Sequence, residues 1–117
     1  MEYPVRVTVN AENVTREAVA AVFGETYPAE ARVERSEYRD PRSGETVTTE
    51  TVVASAVLPS GAVPAAYAAL ASLADLSGED CFAVAVTDPV NGRLLEGKLV
   101  GPRAEKWGEF NIDFFKF

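Results

Sequence analysis

Apolar and polar residues alternate from the start of the chain. Val5, Val7 and Val9 interleave with Arg6, Thr8 and Asn10, the period-two signature of a strand with one buried face. The period then changes. Val19, Val22 and Phe23 are spaced as one side of a helix. Asn13 or Thr15 can cap that helix, Glu17 suits its positive first turn and Gly24 its exit. From Glu30 to Asp40 charges alternate densely, and Asp40-Pro41-Arg42-Ser43-Gly44 is a loop signal. Thr46 to Leu58 is rich in threonine and valine. Residues 30–58 therefore read as a long hairpin whose tip stays wet and whose base, Val52 to Leu58, enters the core.

A second helix opens at Ser60 and Pro64, with proline in the first turn, where its missing N–H costs nothing. Tyr67, Leu70, Leu73 and Ala74 form its inward stripe, and its many alanines allow close approach to a sheet. Gly78 ends it. Cys81 to Thr87 reads as a buried strand, Asp88-Pro89-Val90-Asn91-Gly92 as a tight turn with the hairpin dipeptide Asn91-Gly92, and Arg93 to Val100 as the returning strand. Gly101-Pro102 breaks the run. Glu109 to Phe117 reads as a last strand, with Phe110, Ile112 and Phe114 on one face and Asn111, Asp113 and Phe115 on the other. The order βαββαβββ predicts one α+β domain over residues 1–117. Its expected form is a ferredoxin-like open antiparallel or mixed sheet, with two helices on one face and an extra C-terminal hairpin or strand.

Composition agrees with a folded chain: 47% of residues are hydrophobic and 25% charged, too apolar for disorder. A single cysteine cannot form an internal disulfide, which points to a reducing compartment. The first residues, MEYPVRVTVN, lack the apolar stretch of a signal peptide. No run reaches the eighteen or so apolar residues that a membrane span needs. The expectation is a cytoplasmic protein with no membrane contact.

Charge and chemistry then narrow the functions considered. The net charge is −7, from 18 acidic and 11 basic residues, so the average surface repels nucleic acid and attracts basic proteins. The same charge would also serve only to keep a small domain soluble. There is no histidine, the usual general base near neutral pH and the commonest metal ligand. Cys81 precedes Phe82-Ala83-Val84-Ala85-Val86, where it reads as a buried, inert small hydrophobe. Neither a P-loop nor a dinucleotide glycine pattern occurs. Two carboxylate pairs, Glu79-Asp80 and Glu109 with Asp113, are available for acid/base work but read as solvated charge. The expectation is no catalytic, cofactor-binding or metal-binding residue.

Two surface features carry the functional reading instead. In the hairpin, Glu30, Glu34, Glu37, Asp40, Glu45 and Glu50 interleave with Arg32, Arg35, Arg39 and Arg42. Cross-strand ion pairs there would guard an edge strand, or the acidic row would meet a partner. At the C-terminus, Trp107, Asp113, Phe115 and Phe117 would form an aromatic contact patch. The sequence therefore suggests a non-enzymatic acidic protein-binding module. Its most concrete form is a small inhibitor that blocks a basic nucleic-acid-handling partner, in the manner of phage anti-defence proteins. The alternatives are a ligand-sensing or self-associating ferredoxin-like module, homodimeric if it self-associates, and an enzyme that uses carboxylates only.

Overall fold

The computed structural model describes residues 2–104. Five strands and two helices follow one another as β1 (Pro4–Ala11), α1 (Arg16–Phe23), β2 (Glu30–Arg39), β3 (Thr46–Pro59), α2 (Val63–Leu76), β4 (Phe82–Thr87) and β5 (Leu94–Val100), with one 3₁₀ turn at Ser60–Ala62 ahead of α2. The strands form one sheet in the order β2-β3-β1-β4-β5, and every neighbouring pair is antiparallel. The α+β class and the two helices on one face are as the periodicity predicts. Of the antiparallel and mixed sheets expected, the antiparallel one is formed among the described strands, and a fifth strand flanks β4, so the strand order differs from that of a four-stranded ferredoxin-like sheet. The strand expected over 109–117 lies outside the described residues.

The valine alternation at the start becomes the centre of the molecule. β1 pairs with β3 on one side and β4 on the other. Val5, Val7, Val9 and Ala11 point to the helix-covered face, with Val52, Ala54, Ala56 and Leu58 of β3 and Phe82, Val84 and Val86 of β4. Val19 and Phe23 of α1 and Val63, Ala66, Leu70 and Ala74 of α2 close this layer. Alanines at positions 66 and 74 keep α2 close to the sheet, as its composition implies. Tyr67, Ala71 and Leu73 pack at the margin of the cluster and not at its centre.

Caps and turns place the elements. Thr15 caps α1 by accepting the Ala18 N–H at 3.1 Å. Both described hairpin turns use one device, Asp-Pro-x-x-Gly. In the first, the Asp40 N–H donates to the Glu45 carbonyl at 2.8 Å, and the Asp40 carboxylate accepts the Arg42 N–H at 2.8 Å. In the second, the Asp88 N–H donates to the Arg93 carbonyl at 2.9 Å, and the Asp88 carboxylate accepts the Val90 N–H at 2.8 Å. Gly44 and Gly92 take the left-handed position that each turn needs, at φ 73° and 74°. The tight turn expected over Asp88 to Gly92 is therefore formed. The aspartate side chain closes a four-residue loop, and only the glycine is left-handed.

Past Val52, β3 has no β1 partner. Residues 46–51 pair only with β2, from Glu34↔Thr51 to Arg39↔Thr46. The hairpin thus continues as an exposed two-stranded ribbon, with its tip in solvent as predicted. Among the described residues, no helix is long and apolar enough to cross a membrane.

Leu70 is fully buried between the helices and the sheet. Leu70→Ala should lower unfolding stability by about 2–5 kcal/mol, read as a reduced urea midpoint at unchanged slope. A change under about 0.5 kcal/mol would contradict the packing described.

Candidate functional site

A cleft of about 390 Å³ opens at one end of the sheet, lined by Asn10, Glu12, Thr51, Gly78, Glu79, Asp80, Cys81, Ala83 and Leu99. The volume is within the range of small-molecule sites. Register explains part of the lining. Asn10 of β1 lies opposite Ala83 of β4, which lies opposite Leu99 of β5, so these three form one row on the face away from the helices. Thr51 stands where β3 leaves β1 for the ribbon. Glu12 follows the last residue of β1.

The remaining wall is delivered by the end of α2. The Glu79 N–H donates to the Ala74 carbonyl at 2.9 Å and the Gly78 N–H to the Asp75 carbonyl at 3.1 Å, with Gly78 left-handed at φ 74°. These two bonds make a Schellman cap, and they turn Glu79, Asp80 and Cys81 into the cleft. Side-chain bonds then fix the acids. Glu79 accepts from the Asn13 amide, and Asn13 itself sits at φ 59°, a left-handed conformation that asparagine tolerates. Asp80 accepts from the Arg103 Nε at 2.5 Å, and the Arg103 N–H donates to the Asp80 carbonyl at 3.0 Å. Gly101 makes this approach possible. A Cβ there would lie 2.4 Å from the Asp80 carbonyl oxygen and 2.6 Å from the Cys81 Cα.

The cleft thus gathers three carboxylates, an amide, a hydroxyl and a thiol beside the apolar Ala83 and Leu99. Burial, then the negative charge of Asp80 and Glu79, pushes the Cys81 thiol above its usual pKa. It is held as a thiol, not as a nucleophilic thiolate. Two expectations are corrected here. Cys81 is not a buried strand residue: β4 begins at Phe82, and Cys81 is half-buried in the cleft wall. Glu79 and Asp80 do not simply face solvent but line the same cleft. On a strand these two neighbours would point to opposite faces. They lie in a helix cap, where that rule does not hold.

Of the residues expected to bind a partner, the described ones are spread along the β2–β3 hairpin. Glu30, Glu34 and Glu37 lie along β2, Asp40 and Glu45 flank the ribbon turn, and Glu50 is on β3. Glu34 pairs with Arg32 at 2.9 Å, and Glu50 pairs across the strands with Arg35 at 2.8 Å. Such exposed pairs contribute little stability, but they offset the acidity of the row. Glu50 also lines a larger concavity of about 680 Å³ between the ribbon and residues 13–17. Trp107, Asp113, Phe115 and Phe117 lie outside the described residues. On the helix side of the sheet, Lys98 stands 4.9 Å from the centre of the Tyr67 ring. Burial and then Glu96 raise the Tyr67 phenol well above its ordinary pKa.

The fold is similar to that of a phage SAM lyase in complex with S-methyl-5'-thioadenosine. The two share 16% identity and a TM-score of 0.61, over 91% of this chain and 93% of the other. A phage SAM lyase in the apo state is similar at 12% identity and a TM-score of 0.57, over 82% of this chain and 87% of the other. No family model and no curated protein matches the chain. At these identities the likeness is one of fold. It nevertheless corrects the expectation of a non-enzymatic acidic module that inhibits a basic partner: nearly the whole chain takes up a fold that an enzyme uses.

Two tests follow from the cleft geometry. Gly101→Ala should lower stability by about 1–3 kcal/mol and loosen the Asp80–Arg103 contact, seen as faster amide exchange at residues 79–82; unchanged exchange would show that the close approach is unimportant. Cys81 should react with iodoacetamide at pH 8 more slowly than a free cysteine. The rate should climb only at a pH higher than a free cysteine needs, as the thiol ionises. Glu79→Gln with Asp80→Asn, by removing the two negative charges, should speed labelling at pH 8. Labelling as fast as a free thiol in the parent protein would refute the raised pKa.

Proposed function

We propose that the cleft binds an adenosine-derived sulfonium or thioether and that this chain is a lyase acting on SAM. One observation carries this reading: the likeness to SAM lyase structures, one holding S-methyl-5'-thioadenosine, over nine-tenths of both chains. In finer detail, β1-α1-β2-β3-α2-β4 is read as a ferredoxin-like core with β5 added beside β4.

The cleft chemistry supports the substrate class. SAM carries a positive sulfonium and a positive ammonium, whereas S-methyl-5'-thioadenosine is uncharged. Glu12 and Glu79 complement the cationic molecule, while Asp80 is paired with Arg103. Asn10 and Thr51 offer the donors and acceptors that ribose hydroxyls and base edges require. Ala83 and Leu99 offer apolar surface to the base. A site of this charge holds the sulfonium more tightly than the neutral thioether, which favours product release.

The bond to break joins sulfur to the amino-acid side chain. Its electron pair stays on sulfur, and the sulfonium becomes the thioether. The carbon left behind is satisfied without water, either by the molecule's own carboxylate closing a ring or by loss of a proton from the neighbouring carbon to a carboxylate. Glu79, oriented by Asn13, is placed to take that proton or to steady the developing positive charge at carbon. Neither route needs an imidazole or a thiolate, which suits a chain without histidine whose cysteine is held protonated. Both neighbours are phage proteins, and consumption of SAM would give the anti-defence role a small-molecule target.

The purified protein incubated with SAM should release S-methyl-5'-thioadenosine, measured by chromatography. Glu79→Gln should slow that release by about 100-fold or more while leaving the melting temperature within a few degrees. Absence of turnover together with absence of SAM binding by calorimetry would refute the reading. Turnover unaffected by Glu12→Gln and Glu79→Gln would move the reaction to another site.

A further inference from the structure

The described residues that line the cleft include Glu12, Glu79 and Asp80 but no lysine or arginine. A sulfonium and an ammonium suit such a wall. SAM also carries an α-carboxylate, which these acids repel. To hold the whole molecule, the cleft needs a cation within reach that the lining itself does not supply.

Arg103 meets that need. It is joined to the wall twice: its backbone N–H donates to the Asp80 carbonyl at 3.0 Å, and its Nε donates to the Asp80 carboxylate at 2.5 Å. The side chain is 53% exposed. An ion pair this open adds little to stability, but it leaves the guanidinium accessible to a ligand. Bonding through Nε leaves the terminal amino groups as donors, and a carboxylate fits that planar fork with parallel hydrogen bonds. Two other arginines share the cleft's face of the sheet and are poorly placed. Arg6 stands four residues along β1 from Asn10, about 13 Å away. Arg32 lies opposite Val53, which lies opposite Asn10, so about 10 Å separates it from Asn10. Glu34 already engages Arg32 through both Nε and Nη2.

We propose that Arg103 binds the α-carboxylate of the substrate, so that the cleft selects sulfonium compounds that keep their amino-acid head. This rests on the lyase reading of the cleft. Glu12 and Glu79 then face the ammonium, Arg103 faces the carboxylate, and Asp80 holds the guanidinium in position. The two opposite charges of the head are met by separate residues, which gives selectivity beyond a general attraction for cations. S-methyl-5'-thioadenosine has no such head. Cleavage therefore removes the Arg103 contact from the thioether and favours its departure.

SAM, its decarboxylated counterpart and S-methyl-5'-thioadenosine test the assignment. Constants are read from thioether release, or by calorimetry if SAM binds without turnover. In the parent protein, decarboxylated SAM should inhibit with a constant about tenfold or more above the KM for SAM. Arg103→Gln should raise that KM by about 10- to 100-fold, while the inhibition constants of the two carboxylate-free compounds stay within about threefold. Asp80→Asn with Arg103→Gln keeps the net charge of the wall and should show the same loss, which separates a lost contact from altered charge. Arg32→Gln should leave all three constants unchanged. An unchanged KM in Arg103→Gln, or a rise matched by both inhibitors, would overturn the proposal while the lyase reading stands. If none of the three compounds binds the parent protein, the lyase reading fails and the proposal fails with it.

Discussion

The structure depends on β1 being apolar on one face and paired on both edges. Val5, Val7 and Val9 are almost wholly removed from water, and the strand has hydrogen-bonded neighbours along both sides. A slip of one residue in either pairing would send these valines to the opposite face. The register of the whole sheet is therefore fixed by one short alternating segment. With β1 in place, β3 and β4 must present Val52, Ala54, Ala56, Leu58, Phe82, Val84 and Val86 to the same side, and the helices have a single surface on which to pack.

That register also sets the cleft. The face of β1 away from the core carries Asn10, and pairing brings Ala83 and Leu99 into line with it. The acids arrive by a different route. The Schellman cap at the end of α2 turns Glu79 and Asp80 toward that row, and Asn13 and Arg103 hold them there. Gly78 permits the turn, and Gly101 permits the approach of the following segment. Carboxylates are thus gathered at one end of the sheet, beside apolar surface. On the ribbon, by contrast, Arg32 and Arg35 pair with Glu34 and Glu50, so an equally acidic stretch of sequence yields a mixed surface. The distribution of charge, and not the net value, separates the two regions.

The absence of histidine weighed against catalysis when the chain was read as a sequence. That argument holds for reactions that need a base near neutral pH or a metal-bound nucleophile. It has no force for a reaction in which a sulfonium leaves as a neutral thioether and the substrate can supply the electrons that fill the vacated position. Chemistry that is easy once the substrate is bound leaves little trace in residue composition. A lysine, histidine or cysteine motif need not exist, and a few carboxylates among 18 acidic residues do not stand out.

Periodicity, capping residues and turn chemistry are local properties, and they were legible in the sequence. The valines of β1, the Thr15 cap, the proline-opened second helix and the wet hairpin tip all follow from interactions between residues close along the chain. Strand order and cleft composition are not local. Asn10, Thr51, Glu79 and Leu99 are separated by tens of residues and meet only because β1 is inserted between β3 and β4. Adjacency is a poor guide at Glu79-Asp80-Cys81, because these residues follow a helix cap and are anchored by Arg103 instead of lying on a strand. The sequence by itself determined which segments would be strands and helices and which faces they would bury, since hydrophobic spacing and caps act within one element. Only the tertiary structure decided which acids would share a cleft, because that depends on the register between strands distant in the chain.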